Sequence, residues 1–188
     1  MRYCILGHPR SGTGYMARLF QTVGRDVGHE KLGIDGIASW QWAVATDVVP
    51  WGEPRGARES LAAYEVIHVM RDPVAAVSSV ACTEAPSEAW RRRWIHIPVG
   101  SPIERAIWSL LQWNLLVRSQ RVDHTTSLDG APELVARLTG EEPDHEAAFA
   151  SRNQRPHPEL AEHEIVSGIS AAGLEAWARL KQLYEEVA

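Results

Sequence analysis

The sequence predicts an α/β fold in which helices cover both faces of a central parallel sheet, a three-layer sandwich. Short apolar runs that suit buried strands alternate along the chain with helical patterns, an order that is typical of parallel sheets. Three of these runs end in polar residues, and ligands bind at the carboxyl ends of the strands in such sheets. At 188 residues the chain is expected to form one domain, residues 1–188.

The elements follow from hydrophobic periodicity, because apolar residues at i, i+3, i+4 and i+7 predict helices and short apolar runs predict strands. Strands are predicted for residues 2–6, 26–29, 64–70 and, more weakly, 121–124. Helices are predicted for residues 13–23, 131–138 and 171–187, and two more begin near Pro73 and Ser101. The last helix is expected to bury Leu174. Residues 31–60 and 84–100 are rich in tryptophan, lack a clear period and are expected to be irregular.

Composition and charge limit the function classes. Hydrophobic residues make up 45% and charged residues 23% of the chain, which is ordinary for a globular protein. The net charge of −5 argues against nucleic acid as a partner. No apolar run approaches the roughly 20 residues that span a bilayer, and no signal-peptide segment is found, so no membrane partner is expected. Cys4 and Cys82 lack a C-x-x-C or zinc spacing and are expected to be buried thiols in a reducing cytoplasm.

A glycine-rich loop joins the first predicted strand to the first predicted helix. Gly7 and Gly12 have the spacing of the phosphate-binding P-loop, and strand, loop and helix come in the P-loop order. Backbone amides of such a loop and the helix N-terminus converge on an anion. However, Thr13 and Gly14 stand where nucleotide-hydrolysing P-loops carry Lys and Ser/Thr, and the cation is Arg10, inside the loop. The sequence therefore predicts a P-loop-like sandwich that binds a phosphate compound. Because its cation is Arg10 rather than the usual lysine, the identity of that phosphate compound is open.

The segment from Pro9 to Tyr15 resembles the 5′-phosphosulfate loop of sulfotransferases that use 3′-phosphoadenosine 5′-phosphosulfate (PAPS). That family commonly carries P-[KR]-[ST]-G-[TS] between its first strand and its first helix. The resemblance implies PAPS as the co-substrate. The residues that it assigns to the 5′ end of this donor are Pro9, Arg10, Ser11, Gly12, Thr13, Gly14 and Tyr15.

A second segment, residues 70–79, looks like the family's 3′-phosphate motif. In that motif an Arg at the end of a strand and a Ser eight residues later hold the 3′-phosphate, which assigns these roles to Arg71 and Ser79. The intervening turn and two helical turns can aim the hydroxyl back toward the arginine. The family's later R-K-G-x-x-G motif is absent, and the segment 151–155, which ends in Arg155, is expected to do part of its work at the 3′-phosphate or the adenine.

Glu30 and His29 are alternative candidates for the catalytic base. Gly28-His29-Glu30, at the end of the second predicted strand, is similar to a Gly-Glu-Glu segment of protein-tyrosine sulfotransferases, in which the second Glu is the base. Cytosolic steroid and phenol enzymes use a histidine from another segment, which keeps His29 open. A Glu with a pKa of about 4.3 is a poor base at neutral pH unless burial raises that pKa, and a nearby Arg10 would lower it.

The resemblance implies transfer of a sulfuryl group from PAPS to a hydroxyl or amine of a small-molecule acceptor. Arg10, the loop amides and Thr13 would stabilise the charge that develops on the leaving nucleotide and on the sulfuryl oxygens. No metal ion is expected, because the family works without one. The aromatic segments 33–58 and 84–100 are expected to shape the acceptor site. The run from Trp90 to Trp94 either contacts an anionic ligand or is a solvated face.

Two other function classes stay open. The chain is alternatively a nucleotide kinase-like phosphotransferase, although the Walker lysine is missing, or a non-catalytic nucleotide-binding protein of the same fold. The first alternative predicts tight binding of ATP with magnesium. The sulfotransferase reading predicts instead that adenosine 3′,5′-bisphosphate, the product of PAPS, binds tightly.

Overall fold

A parallel sheet is the central layer of the chain. The structure is a computed structural model and describes residues 1–83, 85–150 and 156–188. The strands in these ranges are β1 (Tyr3–Leu6), β2 (Val27–His29), β3 (Gly36–Ala38), β4 (Glu65–Met70) and β5 (His124–Ser127), in the spatial order β2-β3-β1-β4-β5. Each neighbouring pair is parallel, and Ile5 of the central strand lies opposite Ala38 of β3 and Ile67 of β4. The carboxyl ends of all these strands therefore meet at one edge.

Helices cover both faces of this sheet. In the described ranges they are α1 (Thr13–Thr22), α2 (Pro73–Thr83), α3 (Ala85–Arg91), α4 (Pro102–Arg118), α5 (Ala131–Thr139), α6 (His145–Ala150), α7 (Glu162–Ser167) and α8 (Ala171–Glu185). Helices α1, α5 and α6 pack on the face that carries Tyr3 and Ile5 of β1. Helices α3 and α4 pack on the opposite face, against Cys4 and Leu6, and α2, α7 and α8 pack around α4. The α/β class and the three-layer arrangement predicted from the sequence are confirmed.

Strand β3 is the main element that the sequence does not predict. It lies inside the segment expected to be irregular, and it is hydrogen-bonded between β1 and β2. Three residues are too few to show an alternating pattern. Gly36 also has a φ of 140°, and a Cβ there would lie 1.9 Å from the carbonyl oxygen of Tyr3. A glycine in this strand is thus explained by close backbone approach, although it weakens the strand signal.

Several smaller expectations are also wrong. The short helices α3, α6 and α7 are not predicted, and β5 begins three residues after the start of the weak strand at 121–124. Leu174 is 44% exposed, because the buried face of α8 passes instead through Ala176, Trp177, Leu180 and Leu183. Cys82, near the end of α2, is exposed, whereas Cys4 in β1 is buried as expected. None of the helices in the described ranges has the length and apolar character needed to cross a membrane.

Candidate functional site

The glycine loop, residues 7–14, connects β1 to α1 at the carboxyl edge of the sheet. Gly12 precedes α1 with a φ of 100°, and a Cβ there would lie 2.4 Å from Cδ1 of Leu128. A Cβ on Gly7 would lie 2.8 Å from the carbonyl oxygen of Val69. Both glycines are therefore required by the close packing of the loop against β4 and the connection that follows β5.

Arg71 and Ser79, from the segment that follows β4, meet Arg10 at the glycine loop. Nε of Arg10 donates to Oγ of Ser79, on α2, at 3.0 Å. Arg71 directly follows β4, and its Nη1 donates to the carbonyl oxygen of Arg10 at 3.5 Å. Arg10 has a φ of 74°, in the left-handed region that residues other than glycine seldom adopt. The structure thus brings together the side chains that the sequence assigns to the two ends of the donor.

The remaining residues of the loop contribute buried hydroxyls and backbone amides. Ser11 is 2% exposed, and within the described residues its Oγ has no hydrogen-bond partner. A buried unpaired hydroxyl is costly, and a ligand is one explanation for it. Thr13 and Pro9 are buried beside it. The N–H groups of the first turn of α1 have no acceptor within the helix and can serve an anion.

Tyr15 lies at the end of the predicted loop motif, but its side chain is part of the core. It is 7% exposed and belongs to the hydrophobic cluster around α1. Its ring packs edge-on against Phe149 of α6, with 6.5 Å between the ring centroids. The ring of Tyr15 therefore serves the core, and its backbone N–H, in the first turn of α1, can donate to a ligand at the loop.

Glu30 follows β2 and is held by donors from the segment after β3. Its Oε2 accepts from Oγ of Ser39 at 2.6 Å and from Nε2 of Gln41 at 2.8 Å, and the carboxylate also accepts from the backbone N–H of Trp40. Burial raises the pKa of Glu30 above its ordinary value, and these hydrogen bonds oppose the rise. The net shift is upward, which makes Glu30 a better base and is opposite to the effect expected from Arg10.

Ser39 and Gln41 are the site residues that the sequence does not reveal. Ser39 directly follows β3, and Gln41 lies in a 3₁₀ helix, Trp40–Ala43. Gln41 also bonds to both backbone groups of Trp51, at 3.2 Å through its Oε1 and at 2.5 Å through its Nε2. Because β3 is not predicted, the predicted elements do not bring these residues to the edge of the sheet that carries Glu30. An apolar Gly-Ile-Ala run followed by Ser is the one local signal that could have done so.

His29 lies between the glycine loop and Glu30. Its Nε2 is 3.8 Å from Oε1 of Glu30, and its side chain is 47% exposed. A Cβ on Gly14 would lie 3.2 Å from the imidazole, so the ring rests against the loop. Partial burial, followed by the charge of Arg18, lowers the pKa of His29, which favours a neutral ring at neutral pH. His29 therefore contacts the loop directly, and Glu30 lies next to His29.

A cluster of tryptophans packs beneath and beside the site. Trp40 contacts Trp90 and Trp113, with ring centroids 5.2 Å and 5.6 Å apart, and Nε1 of Trp113 donates to the carbonyl oxygen of Gly7 at 2.9 Å. The two ends of the cluster, Trp51 and Trp94, are 47% and 39% exposed. The segments 31–60 and 84–100 thus meet in one aromatic cluster that supports the loop.

The arginine run after Trp90 divides between the interior and the surface. Arg91 is 1% exposed, whereas Arg92 and Arg93 are exposed. Nε of Arg92 donates to Glu88 at 2.9 Å, one helical turn away. Only the buried arginine lies next to the site, since its Nε donates to Oγ of Ser109, which in turn bonds to His8 of the glycine loop. Arg155, which is predicted to contact the 3′-phosphate or the adenine of PAPS, lies outside the described residues.

The described residues contain no group of three or more His, Cys, Asp and Glu side chains that could hold a metal ion. The chemical resources of the site are cations, hydroxyls and amides at the glycine loop, next to a carboxylate and an imidazole. Such a set can bind an anion and accept a proton from a molecule beside it.

Comparison of the chain with models of protein families, with curated proteins and with solved structures gave no match.

Proposed function

We propose that the chain is a sulfotransferase that transfers a sulfuryl group from PAPS to a hydroxyl or amine of a small-molecule acceptor. The observation that carries the proposal is the meeting of Arg10, Arg71 and Ser79 at the glycine loop, with Glu30 and His29 beside it. Two sequence segments separated by some 60 residues supply the two ends of one anion site. A ligand with phosphate groups at both ends of a ribose suits that arrangement.

The glycine loop and Arg10 are assigned to the 5′-phosphosulfate, and Arg71 and Ser79 to the 3′-phosphate. The Arg10–Ser79 hydrogen bond links these two groups directly at 3.0 Å. When the donor binds, phosphate oxygens replace this bond, because charged oxygens are stronger acceptors than a hydroxyl. The buried hydroxyl of Ser11 is a further donor for the 5′ end.

The reaction is an in-line substitution at sulfur. The acceptor oxygen or nitrogen forms a bond to sulfur while its proton passes to the base. The bond between sulfur and the bridging oxygen of PAPS breaks, and its electron pair stays on the 5′-phosphate of adenosine 3′,5′-bisphosphate. Arg10 and the loop amides stabilise the charge on this leaving group, an electrostatic contribution that preorganised donors make most effectively.

Glu30 is the preferred base and His29 the alternative. Oε2 of Glu30 is engaged by Ser39 and Gln41, whereas Oε1 faces the His29 side of the site. A carboxylate with a raised pKa accepts a proton more readily, and catalysis is most efficient when the pKa of the base approaches the working pH. We place the reaction in the cytoplasm, since the free cysteines suit a reducing compartment.

Calorimetry with adenosine 3′,5′-bisphosphate and with ATP plus magnesium tests the proposal. We expect the bisphosphate to bind with a Kd at least tenfold below that of ATP, and an acceptor screen with PAPS to detect transfer. Tight ATP binding without bisphosphate binding would favour a kinase-like enzyme. Bisphosphate binding with no transfer to any acceptor class would favour a non-catalytic binding protein.

A further inference from the structure

A series of hydrogen bonds between buried polar side chains connects α3 through α4 to the glycine loop. Nε of Arg91 donates to Oγ of Ser109 at 2.9 Å, and Oγ of Ser109 lies 2.8 Å from Nε2 of His8. Nδ1 of His8 lies 2.6 Å from the carbonyl oxygen of Pro9. Arg91 and Ser109 are 1% exposed and His8 is fully buried. Burying three polar side chains costs free energy unless each one is hydrogen-bonded, so the partners of these side chains have to be explained.

In this series of hydrogen bonds, the donor of each bond can be assigned. An arginine only donates, so Oγ of Ser109 accepts from Arg91 and has its own proton to give to Nε2 of His8. The carbonyl oxygen of Pro9 can only accept, so Nδ1 of His8 carries the proton of the neutral imidazole and donates to it, which leaves Nε2 as the acceptor from Ser109. Burial first and the charge of Arg91 second lower the pKa of His8, which agrees with a neutral ring.

The series of hydrogen bonds ends at the peptide bond between Pro9 and Arg10. A trans peptide is planar, with its carbonyl and N–H groups pointing in opposite directions. Holding the carbonyl of Pro9 toward His8 therefore points the N–H of Arg10 in the opposite direction, away from His8. The same peptide leads into the left-handed backbone of Arg10, a conformation that persists only where its surroundings hold it.

A second buried histidine in the molecule shows what the His8 contact adds. Nε2 of His68, on β4, bonds to Oδ1 of Asn114 at 2.9 Å, and Asn114 lies on α4 as Ser109 does. Nδ1 of His68 has no hydrogen-bond partner within the described residues. A buried histidine paired with α4 thus occurs without any link to a loop. In His8, by contrast, Nδ1 is also hydrogen-bonded, and its partner is the carbonyl oxygen of Pro9 in the loop backbone.

We propose that His8, held by Ser109 and Arg91, is a positioning residue that fixes the Pro9–Arg10 peptide in the conformation that binds the donor. The identity of the donor rests on the proposed function, but the shape of the loop does not. The role requires the Nδ1 contact to Pro9 more than the Nε2 contact to Ser109, because only the former touches the loop backbone.

Two substitutions of His8 separate these contacts. His8→Asn places an amide N–H near the position of Nδ1 and can still donate to Pro9. His8→Gln places its amide near the position of Nε2 and keeps only the contact to Ser109. We expect His8→Gln to weaken binding of adenosine 3′,5′-bisphosphate about tenfold, the scale of one lost hydrogen bond, and His8→Asn to stay within about threefold of wild type. Amide exchange of Arg10 and Ser11 without ligand should be faster in His8→Gln alone.

Asn114→Ala is the control, since it removes the one hydrogen-bond partner described for the other buried histidine, His68, and does not touch the glycine loop. It should lower the free energy of unfolding and leave both bisphosphate affinity and loop exchange unchanged. Equal affinity losses in His8→Gln and Asn114→Ala would overturn the proposal, as would unchanged exchange at Arg10 and Ser11. A wild-type protein that binds no bisphosphate would reject the proposed function, while the exchange comparison would still decide the role of His8. The tautomer of His8 can be measured in the wild-type protein from its ¹⁵N chemical shifts. Shifts that place the imidazole proton on Nε2 would also overturn the proposal.

Discussion

Arg10 and Glu30 are the two residues other than glycine with a positive φ in the described part of the chain, at 74° and 58°. They lie at the same edge of the sheet, after β1 and after β2, and carry opposite charges. Such backbone conformations cost on the order of 1–3 kcal/mol and tend to cluster at functional sites. Their coincidence with the candidate site is independent of the sequence motifs that first indicated these residues.

The two residues are held by different means. Side chains from distant segments hold Arg10, since Ser79 accepts from its Nε and Arg71 donates to its carbonyl oxygen. Backbone pairing holds Glu30, since its N–H donates to Ala38 at 3.1 Å and its carbonyl accepts from the N–H of Glu53 at 2.8 Å. The conformation of Arg10 thus depends on side chains that the proposed donor would contact, whereas the main chain of Glu30 is held by backbone hydrogen bonds.

Glu30→Gln tests the carboxylate side and has the largest expected effect. The amide keeps the shape of the side chain and can still accept from Ser39 and Gln41, but it cannot take the acceptor proton. We expect kcat for transfer from PAPS to fall about 10³-fold while bisphosphate affinity stays the same. His29→Asn should change kcat by less than about tenfold. The reverse ranking would make His29 the base, and full activity in both variants would place the base elsewhere.

Arg10→Ala tests the cation side. Removing a donor that stabilises the leaving group should lower kcat/KM about 10²-fold. Unlike Glu30→Gln, it should also weaken bisphosphate binding, which calorimetry measures directly. Arg10→Lys keeps the charge without the forked geometry and should recover part of the loss. Unchanged transfer in Arg10→Ala would contradict the role assigned to this side chain.

Local patterns predicted the cation side of the site better than the carboxylate side. The glycine loop joins consecutive elements, and Arg71 and Ser79 are eight residues apart on one turn and helix, so spacing alone relates them. Ser39 and Gln41 reach Glu30 only because of β3, whose three residues carry no periodic signal. Ser109 lies 101 residues from His8 and looks in sequence like any other residue of a long helix. Long-range polar contacts of this kind leave no trace in a single sequence.

The pH dependence of stability tests the environment of Glu30. Burial raises its pKa in the folded state, so the folded protein binds more protons than the unfolded chain between the two pKa values. The contribution of Glu30 to stability is therefore greatest below its unfolded pKa, at about 4.3, and is lost as pH rises through the folded pKa. Urea unfolding of Glu30→Gln and wild type at about pH 4, 5.5 and 7, values that run from below the unfolded pKa to neutral pH, should show the variant gaining relative stability toward pH 7. A difference that is independent of pH would mean that the pKa is not raised.

The smallest expected effect isolates the backbone strain at the two positions. At a positive φ, glycine is favoured over alanine by about 1 kcal/mol, because it has no Cβ to clash. Arg10→Gly should therefore be more stable to urea than Arg10→Ala, and Glu30→Gly more stable than Glu30→Ala. Ala178→Gly, at an exposed position within α8, should show the opposite sign by roughly 0.5–1 kcal/mol. A glycine preference at Glu30 but not at Arg10 would mean that the loop leaves the left-handed conformation once the Arg10 side chain is lost, and would contradict the role given to His8 in holding the Pro9–Arg10 peptide.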